Sequence, residues 1–546
     1  MKLSNLIRLT CIVFFLSTQS HASEPDWSKE APVSVGGRSN PYQLSEIELP
    51  SVIRAGKLHA LHYPVTTTGM KVPYEPMRRF LNAQSDNPFK YIIMKVIGAV
   101  TDFHNFEEVE NWLGLQPYPE TEGNGVFAVP WPNGQKPEHR MGFTTLQTSL
   151  GPAFSISCAE CHVGNLFGQK IIGLNNRFPR ANAFFVRSLK GLSYVSEGMF
   201  EWQTDANPNE VAMYRELRHA AQYIEAKMPA QLGLDTSLAQ VSLSLAKRLG
   251  KGSEPHPLRT YVADSKPAVW WLAKYKNRWL SDGSVVAGNP IFTNLIWNEI
   301  GRGAELDKLN QWLTENAQIV KELTTAVFSS EPPLITDFFP AERIDEMQAR
   351  RGEQVFVQNC TRCHGYYDKA WNHAEFADRP WAERLRTLSV DYSQKTRVID
   401  VGTDPNRYLG MKSLTALNDL DISKSNGIRI EPQKGYVPQP LVGIWARWPY
   451  MHNNSIPSLC VLLTPEKSRP RGYWAREAID RNSDFDFDCN GYPMTMPENQ
   501  ALDYYYDSHR PGMKNGGHSE GILVKNGVEK FNAEDRKNLI TYLQTL

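Results

Sequence analysis

Two five-residue stretches carry the residue types best able to do chemistry in this chain of 546 residues: Cys158-Ala159-Glu160-Cys161-His162 and Cys360-Thr361-Arg362-Cys363-His364. In Cys-x-x-Cys-His each thiol can add to a haem vinyl group as a thioether, and the histidine that follows supplies one axial nitrogen to the iron. The competing reading is a redox or zinc Cys-x-x-Cys. Zinc would want two more thiolate or imidazole ligands at short spacing, and no second Cys-x-x-Cys lies near either motif. Two copies in a chain with only seven cysteines therefore predict two covalently bound c-type haems, held by Cys158, Cys161, Cys360 and Cys363. His162 and His364 are then the proximal iron ligands.

Each motif histidine accounts for one side of an iron, and the other side decides what the iron can do. A second strong protein ligand makes an electron-transfer centre, whereas an open position can bind peroxide or dioxygen. After the second motif the stretch Pro511-Gly512-Met513-Lys514-Asn515-Gly516-Gly517-His518 is a loop just before a terminal helix, where His518 is the first candidate and Met513 the next. His452 is the alternative, with Met411 and Met451 as further options. After the first motif no comparable partner follows. His219 sits in a helix-like stretch and His256 between turn residues, and the region offers aromatics instead: Trp270, Trp271, Tyr275, Trp279, Phe292 and Trp297. Trp270 and Trp271 are the candidates for a distal pocket over the first haem; ordinary core packing is the other reading.

The elements that must position these residues are mainly helical. Ile344 to Gln358 forms an amphipathic helix running into Cys360, and Asn532 can cap a closing helix in which Leu539, Leu543 and Leu546 make a buried stripe. A helix before the motif and one at the terminus frame a small class I cytochrome c. Glu210 to Ala226 and Leu306 to Val327 also carry helical periodicity, while strand signals are sparse. The predicted fold is mainly α: two class I cytochrome c-like haem domains in tandem, 142–328 and 341–546, joined by a proline-rich linker, 329–340. An irregular N-terminal extension, 23–141, precedes them, either wrapped on the first haem domain or standing as a small domain. Its apolar stretch Tyr91 to Val100 precedes a helix start near Asp102.

Asp484-Phe485-Asp486-Phe487-Asp488 alternates as a half-buried strand would, and its carboxylates could bind calcium. A solvated edge strand explains the pattern equally. Cys460 and Cys489 are left over after the motifs and Cys11 are set aside. They could pair, closing a loop worth about 3 kcal/mol, or stay as two buried thiols.

The first residues read as a signal peptide: Lys2 and Arg8, an apolar Ile12 to Leu16, and Ser20-His21-Ala22 as a cleavage site. That run is too short to span a bilayer, and Cys11 belongs to the apolar region rather than to a lipoprotein site. The expectation is a periplasmic or secreted protein with no membrane anchor. Formal net charge is zero, which gives no broad electrostatic reason to bind nucleic acid. Hydrophobic residues at 41% with 11% aromatics suit globular domains packed around flat apolar porphyrins.

Taken with the two motifs, the stretches Val401-Gly402-Thr403-Asp404-Pro405, Pro449-Tyr450-Met451-His452-Asn453 and Gly517-His518 before a terminal helix make the chain resemble the bacterial di-haem cytochrome c peroxidase superfamily. The length and the Leu280-Ser281-Asp282-Gly283-Ser284 to Gly301 stretch look closest to its rubber oxygenase branch of latex-cleaving di-haem dioxygenases. The resemblance covers roughly residues 142 to 546. It implies an N-terminal haem, on His162, that activates peroxide or dioxygen, and a C-terminal haem, on His364 with His518 as sixth ligand, that relays electrons. A peroxidase would draw electrons from a small cytochrome c or cupredoxin; an oxygenase would use dioxygen on an unsaturated substrate. The alternative is a non-catalytic periplasmic di-haem electron-transfer protein. For a peroxidase the resemblance also implies a distal acid, and Glu299 is the candidate.

Overall fold

The computed structural model describes residues 24–82, 88, 90–91, 103–497 and 501–546. The signal-peptide reading of residues 1–22, the apolar stretch 92–100 and the helix start at 102 lie outside the described residues.

Helix Glu346–Asn359 leads into the second motif as expected. Asp345 caps it by accepting from the backbone N–H of Gln348, satisfying one of the donors a helix start leaves open. The closing helix Ala533–Gln544 carries a capping box between Asn532 and Asp535. The two helices cross at Gly352, where a Cβ would run into the Asn538 carbonyl and the Tyr542 side chain. Glycine is what allows so close an approach. Leu539, Leu543 and Leu546 are buried, and Phe356 packs on Tyr542 with centroids 5.2 Å apart.

The first motif is entered differently. A three-stranded sheet places Gly151–Ile156 between Val72–Pro73 and Phe143–Thr148. Its central strand ends two residues before Cys158, where the class I pattern would have a helix. A second hairpin, Val163–Leu166 with Gln169–Ile172, begins directly after His162. The tight turn at Gly151, with φ +118°, favours a hairpin over a continuous helix at this point.

Among the other elements, Asn207 and Glu210 form a capping box for helix Pro208–Ala221. The periodicity from Leu306 to Val327 is divided at Asn316 into helices Leu306–Glu315 and Ala317–Phe328. Leu309, Leu313 and Val320 are buried across that break. Asp484 to Asp488 does not form a strand: only Asp486 makes an isolated bridge, to Gly491. Asp484 accepts from the backbone N–H groups of Ile479 and Asp480, and Asp486 from that of Cys489. Short carboxylates that capture nearby backbone donors favour turns over ladders. Among the described residues no three His, Cys, Asp or Glu side chains are grouped to hold a metal ion, so these aspartates carry no calcium argument. Cys460 and Cys489 form a disulfide.

One buried apolar cluster joins Leu166, Leu174, Trp271 and Tyr275 to Phe356, Trp445 and Tyr542. A second joins Leu61, Trp270 and Ile296 to Met411 and Leu414. Each draws on both sides of 329–340, and that segment contributes Ile335, Phe338 and Phe339 to the first. Helix Leu49–Leu61 of the N-terminal region packs on Ala317–Phe328, so this part of the extension is tied to the same core.

Candidate functional site

Cys360 ends the helix that enters the second motif, and neither Cys360 nor Cys363 takes part in a disulfide, so both are available for thioether attachment. The His364 Nδ1–H donates to the Gln439 carbonyl at 2.7 Å, leaving the Nε2 lone pair free for a metal. Facing it is His518, whose ring lies 6.2 Å away centroid to centroid and 17° from parallel. Two metal–imidazole bonds of about 2 Å each, with the nitrogen-to-centroid distance of each ring added, span roughly 6 Å. The pair therefore fits one iron held from both sides. Burial lowers both imidazoles, His518 to about 3 with His364 contributing, and so holds them in the neutral form that ligates metals.

His518 reaches this position through a braced loop. It adopts a left-handed φ of 53°, and its backbone N–H donates to the Val401 carbonyl at 3.1 Å. Gly517, with φ +95°, presses on Thr403, whose Oγ1 would lie 2.6 Å from a Cβ. Asp404 accepts from the Lys514 N–H at 3.2 Å. The fully buried Asn453 donates to the carbonyls of Gly512 and Lys514 at 3.1 and 3.2 Å. Val401 to Pro405 and Pro449 to Asn453 thus act as a cradle for the loop.

The other candidates are engaged elsewhere. His452 stacks on Tyr436, with centroids 4.2 Å apart, and its Nε2 meets the Tyr436 hydroxyl at 3.1 Å. Met513 turns its sulfur to the Tyr506 hydroxyl, and Met411 is buried in the second cluster. Met451 takes a left-handed φ of 65°.

At the first motif Cys158 and Cys161 are likewise outside any disulfide. The His162 Nδ1–H donates to the Ala268 carbonyl at 3.0 Å, again freeing Nε2, and burial lowers the imidazole to about 4. Between the cysteines, Glu160 accepts from the Arg180 N–H at 3.0 Å and is pushed up to about 7 by burial. Near Cys158 the Tyr63 hydroxyl donates to Glu299 at 2.6 Å, with Arg302 over the Tyr63 ring at 4.2 Å.

The two tryptophans proposed as a distal pair are separated by the structure. Trp270 lies beside His162, centroids 5.9 Å apart and tilted 44°. Trp271 faces the other cluster and donates its indole N–H to the Val442 carbonyl at 3.0 Å, because consecutive residues in the turn Trp270–Tyr275 point in different directions. His219 is exposed in the last turn of its helix, and His256 caps Pro257–Arg259 through the Leu258 N–H. Among the described residues no histidine ring faces His162 as His518 faces His364. The carbonyls of Ala268 and Gln439, which orient the two motif histidines, leave no signal in residue type and were not anticipated from sequence.

A family model described as RoxA-like, cytochrome c-like matches residues 435–475, the stretch containing Gln439 and His452. Two curated proteins of Sinorhizobium fredii are similar. Uncharacterized protein y4iJ is 32% identical over 251 residues, covering 37% of this chain and 39% of that protein. Uncharacterized protein y4iM is 26% identical over 242 residues, covering 37% of this chain and 49% of that protein. The chain spans less than half the length of each. The family match supports a haem-binding protein of cytochrome c type.

Proposed function

We propose that the protein is an exported di-haem c-type oxidoreductase in which the centre at His162 activates peroxide or dioxygen and the centre at His364 and His518 relays electrons. The observation that carries this is the asymmetry of the two motif histidines: His364 has a parallel imidazole across from it at 6.2 Å, whereas His162 has Trp270 beside it. Cys158 and Cys161 would hold one haem and Cys360 and Cys363 the other. When bound, the haems would supply one-electron redox chemistry, and the one ligated from a single side would also offer an open iron position.

The chain's own residues do the rest. Ala268 and Gln439 fix the tautomer and direction of the two imidazoles. His518 closes the second centre to outside ligands, and the apolar cluster around Trp270 and Cys158 keeps water from the first. The Cys460–Cys489 disulfide suits an oxidising compartment outside the cytoplasm. An imidazole rather than a thioether at the relay centre favours dioxygen acting on an unsaturated substrate. Peroxide reduction fed by a small cytochrome c or cupredoxin is the other form of the same reading.

Optical and EPR spectra of the purified protein with and without carbon monoxide, imidazole and peroxide test the proposal. One centre is expected to bind these ligands and the other to refuse them. If neither binds, the protein is an electron carrier and the proposal fails. Turnover of a polyisoprenoid or unsaturated lipid with dioxygen, against turnover of peroxide with a reduced donor, divides the two enzymes.

A further inference from the structure

Three buried or half-buried cations span the carbonyls that orient the two motif histidines. Lys276 is 7% exposed and donates to Gln439 Oε1 at 3.2 Å; the backbone carbonyl of the same Gln439 holds His364. Arg447 directs one guanidinium nitrogen to the carbonyls of Pro440 and Val442 at 2.9 and 3.4 Å, next to Gln439 in the chain. Lys266 donates to the carbonyls of Arg447 and Pro449 at 3.0 and 2.5 Å. It stands two residues before Ala268, whose carbonyl holds His162.

Among the described residues none of the three has a carboxylate partner. Lys274, by contrast, pairs with Glu331. Burial disfavours the charged form of both Lys266 and Lys276, and the nearby Arg447 adds to it. Like charges gathered away from water are costly unless an anion meets them. Haem brings two carboxylates of its own, the propionates, at one edge of an apolar ring.

We infer that Lys266, Lys276 and Arg447 form one carboxylate-binding site shared by the two haems. Lys276 and Arg447 take propionates of the haem on His364; Lys266, anchored to the Arg447 carbonyl, takes a propionate of the haem on His162. The inference rests on the di-haem reading above. Its consequence is electrical: fixed positive charge beside each iron favours the reduced, less positive state and raises the potential. Because Lys266 is anchored to the Arg447 carbonyl, and Lys276 and Arg447 both bind the segment Gln439 to Val442, the two centres sense each other's charge through this group.

Spectroelectrochemical titration of the intact holoprotein tests this, with haem content followed by mass and by the pyridine haemochrome. Lys276→Gln should lower the reduction equilibrium constant of the low-spin centre about tenfold, or 59 mV for one electron, and Lys266→Gln should do the same at the other centre. Lys276→Arg, which keeps the charge, should stay near the wild-type value. Unmoved potentials in Gln variants carrying both haems would overturn the inference and leave the di-haem reading standing. A wild-type chain that takes up no haem would overturn both. Should the Gln variants fail to fold, redox difference infrared of wild-type protein with 13C-labelled haem carboxyls decides: ionised propionates support the site, and a protonated carboxyl band sinks it.

Discussion

The ring of His518 lies parallel to that of His364 within 17°, at a centroid separation of 6.2 Å. The motif histidine comes at the end of a helix and its counterpart from a glycine-rich loop pressed on Val401 to Thr403. A separation of that size suits two imidazoles sharing one metal, and it makes His518 the residue whose loss should change the second centre most.

His518→Ala should therefore turn the second centre from six-coordinate and low-spin into one that binds carbon monoxide and imidazole. His452→Ala should leave it low-spin, because His452 is engaged by Tyr436. EPR of the two variants checks both halves. A low-spin signal that survives in the His518 variant, or vanishes in the His452 variant, would reverse the assignment.

Asn453 is fully buried and its amide holds the carbonyls of Gly512 and Lys514. Asn453→Ala leaves both without that donor, at a cost of about 1–3 kcal/mol. The variant should also let imidazole compete at the second centre, since the loop bearing His518 is loosened. Denaturant midpoints and ligand titration measure the two effects; a variant as stable and as closed as wild type counts against the cradle.

At the crossing of the motif helix and the closing helix, Gly352→Ala places a methyl group against the Asn538 carbonyl. Overpacking of this kind costs about 1–3 kcal/mol. Gly198→Ala is the matched control, lying in helix Glu197–Thr204 with nothing within 4 Å of its Cβ position. It should be neutral or stabilising by about 1 kcal/mol. Thermal unfolding of the pair should move in opposite directions or, at the least, separate clearly.

Lys369 gives a pH prediction. Burial lowers it from 10.5 to about 7, so between those values the unfolded chain holds a proton that the folded chain has released. Stability then rises with pH through that window, by on the order of a few kcal/mol. Lys369→Met removes the titrating group and should flatten this rise. Denaturant unfolding at pH 7, 8 and 9 tests it, and equal slopes in the two proteins would contradict the assignment.

Local chemistry made several parts readable from residues alone. Cys-x-x-Cys-His names its ligands by spacing, because thioether attachment and the following histidine are set within one turn of chain. The helix before Cys360 was legible through its apolar periodicity, and the closing helix through the cap at Asn532 and its buried leucine stripe. His518 was a candidate by its place before the closing helix. The sequence could not decide between His518 and His452, because both are histidines in turn-rich segments and only the folded loop shows which one faces His364. It could not separate Trp270 from Trp271, since neighbours in a tight turn diverge by a rotation that composition does not record. It suggested a strand at Asp484 to Asp488, where backbone donors captured the carboxylates instead. The carbonyls of Ala268 and Gln439 and the cations Lys266, Lys276 and Arg447 were decided by tertiary structure alone: a carbonyl has no residue-type signature, and a lysine reads as surface until long-range packing removes its water.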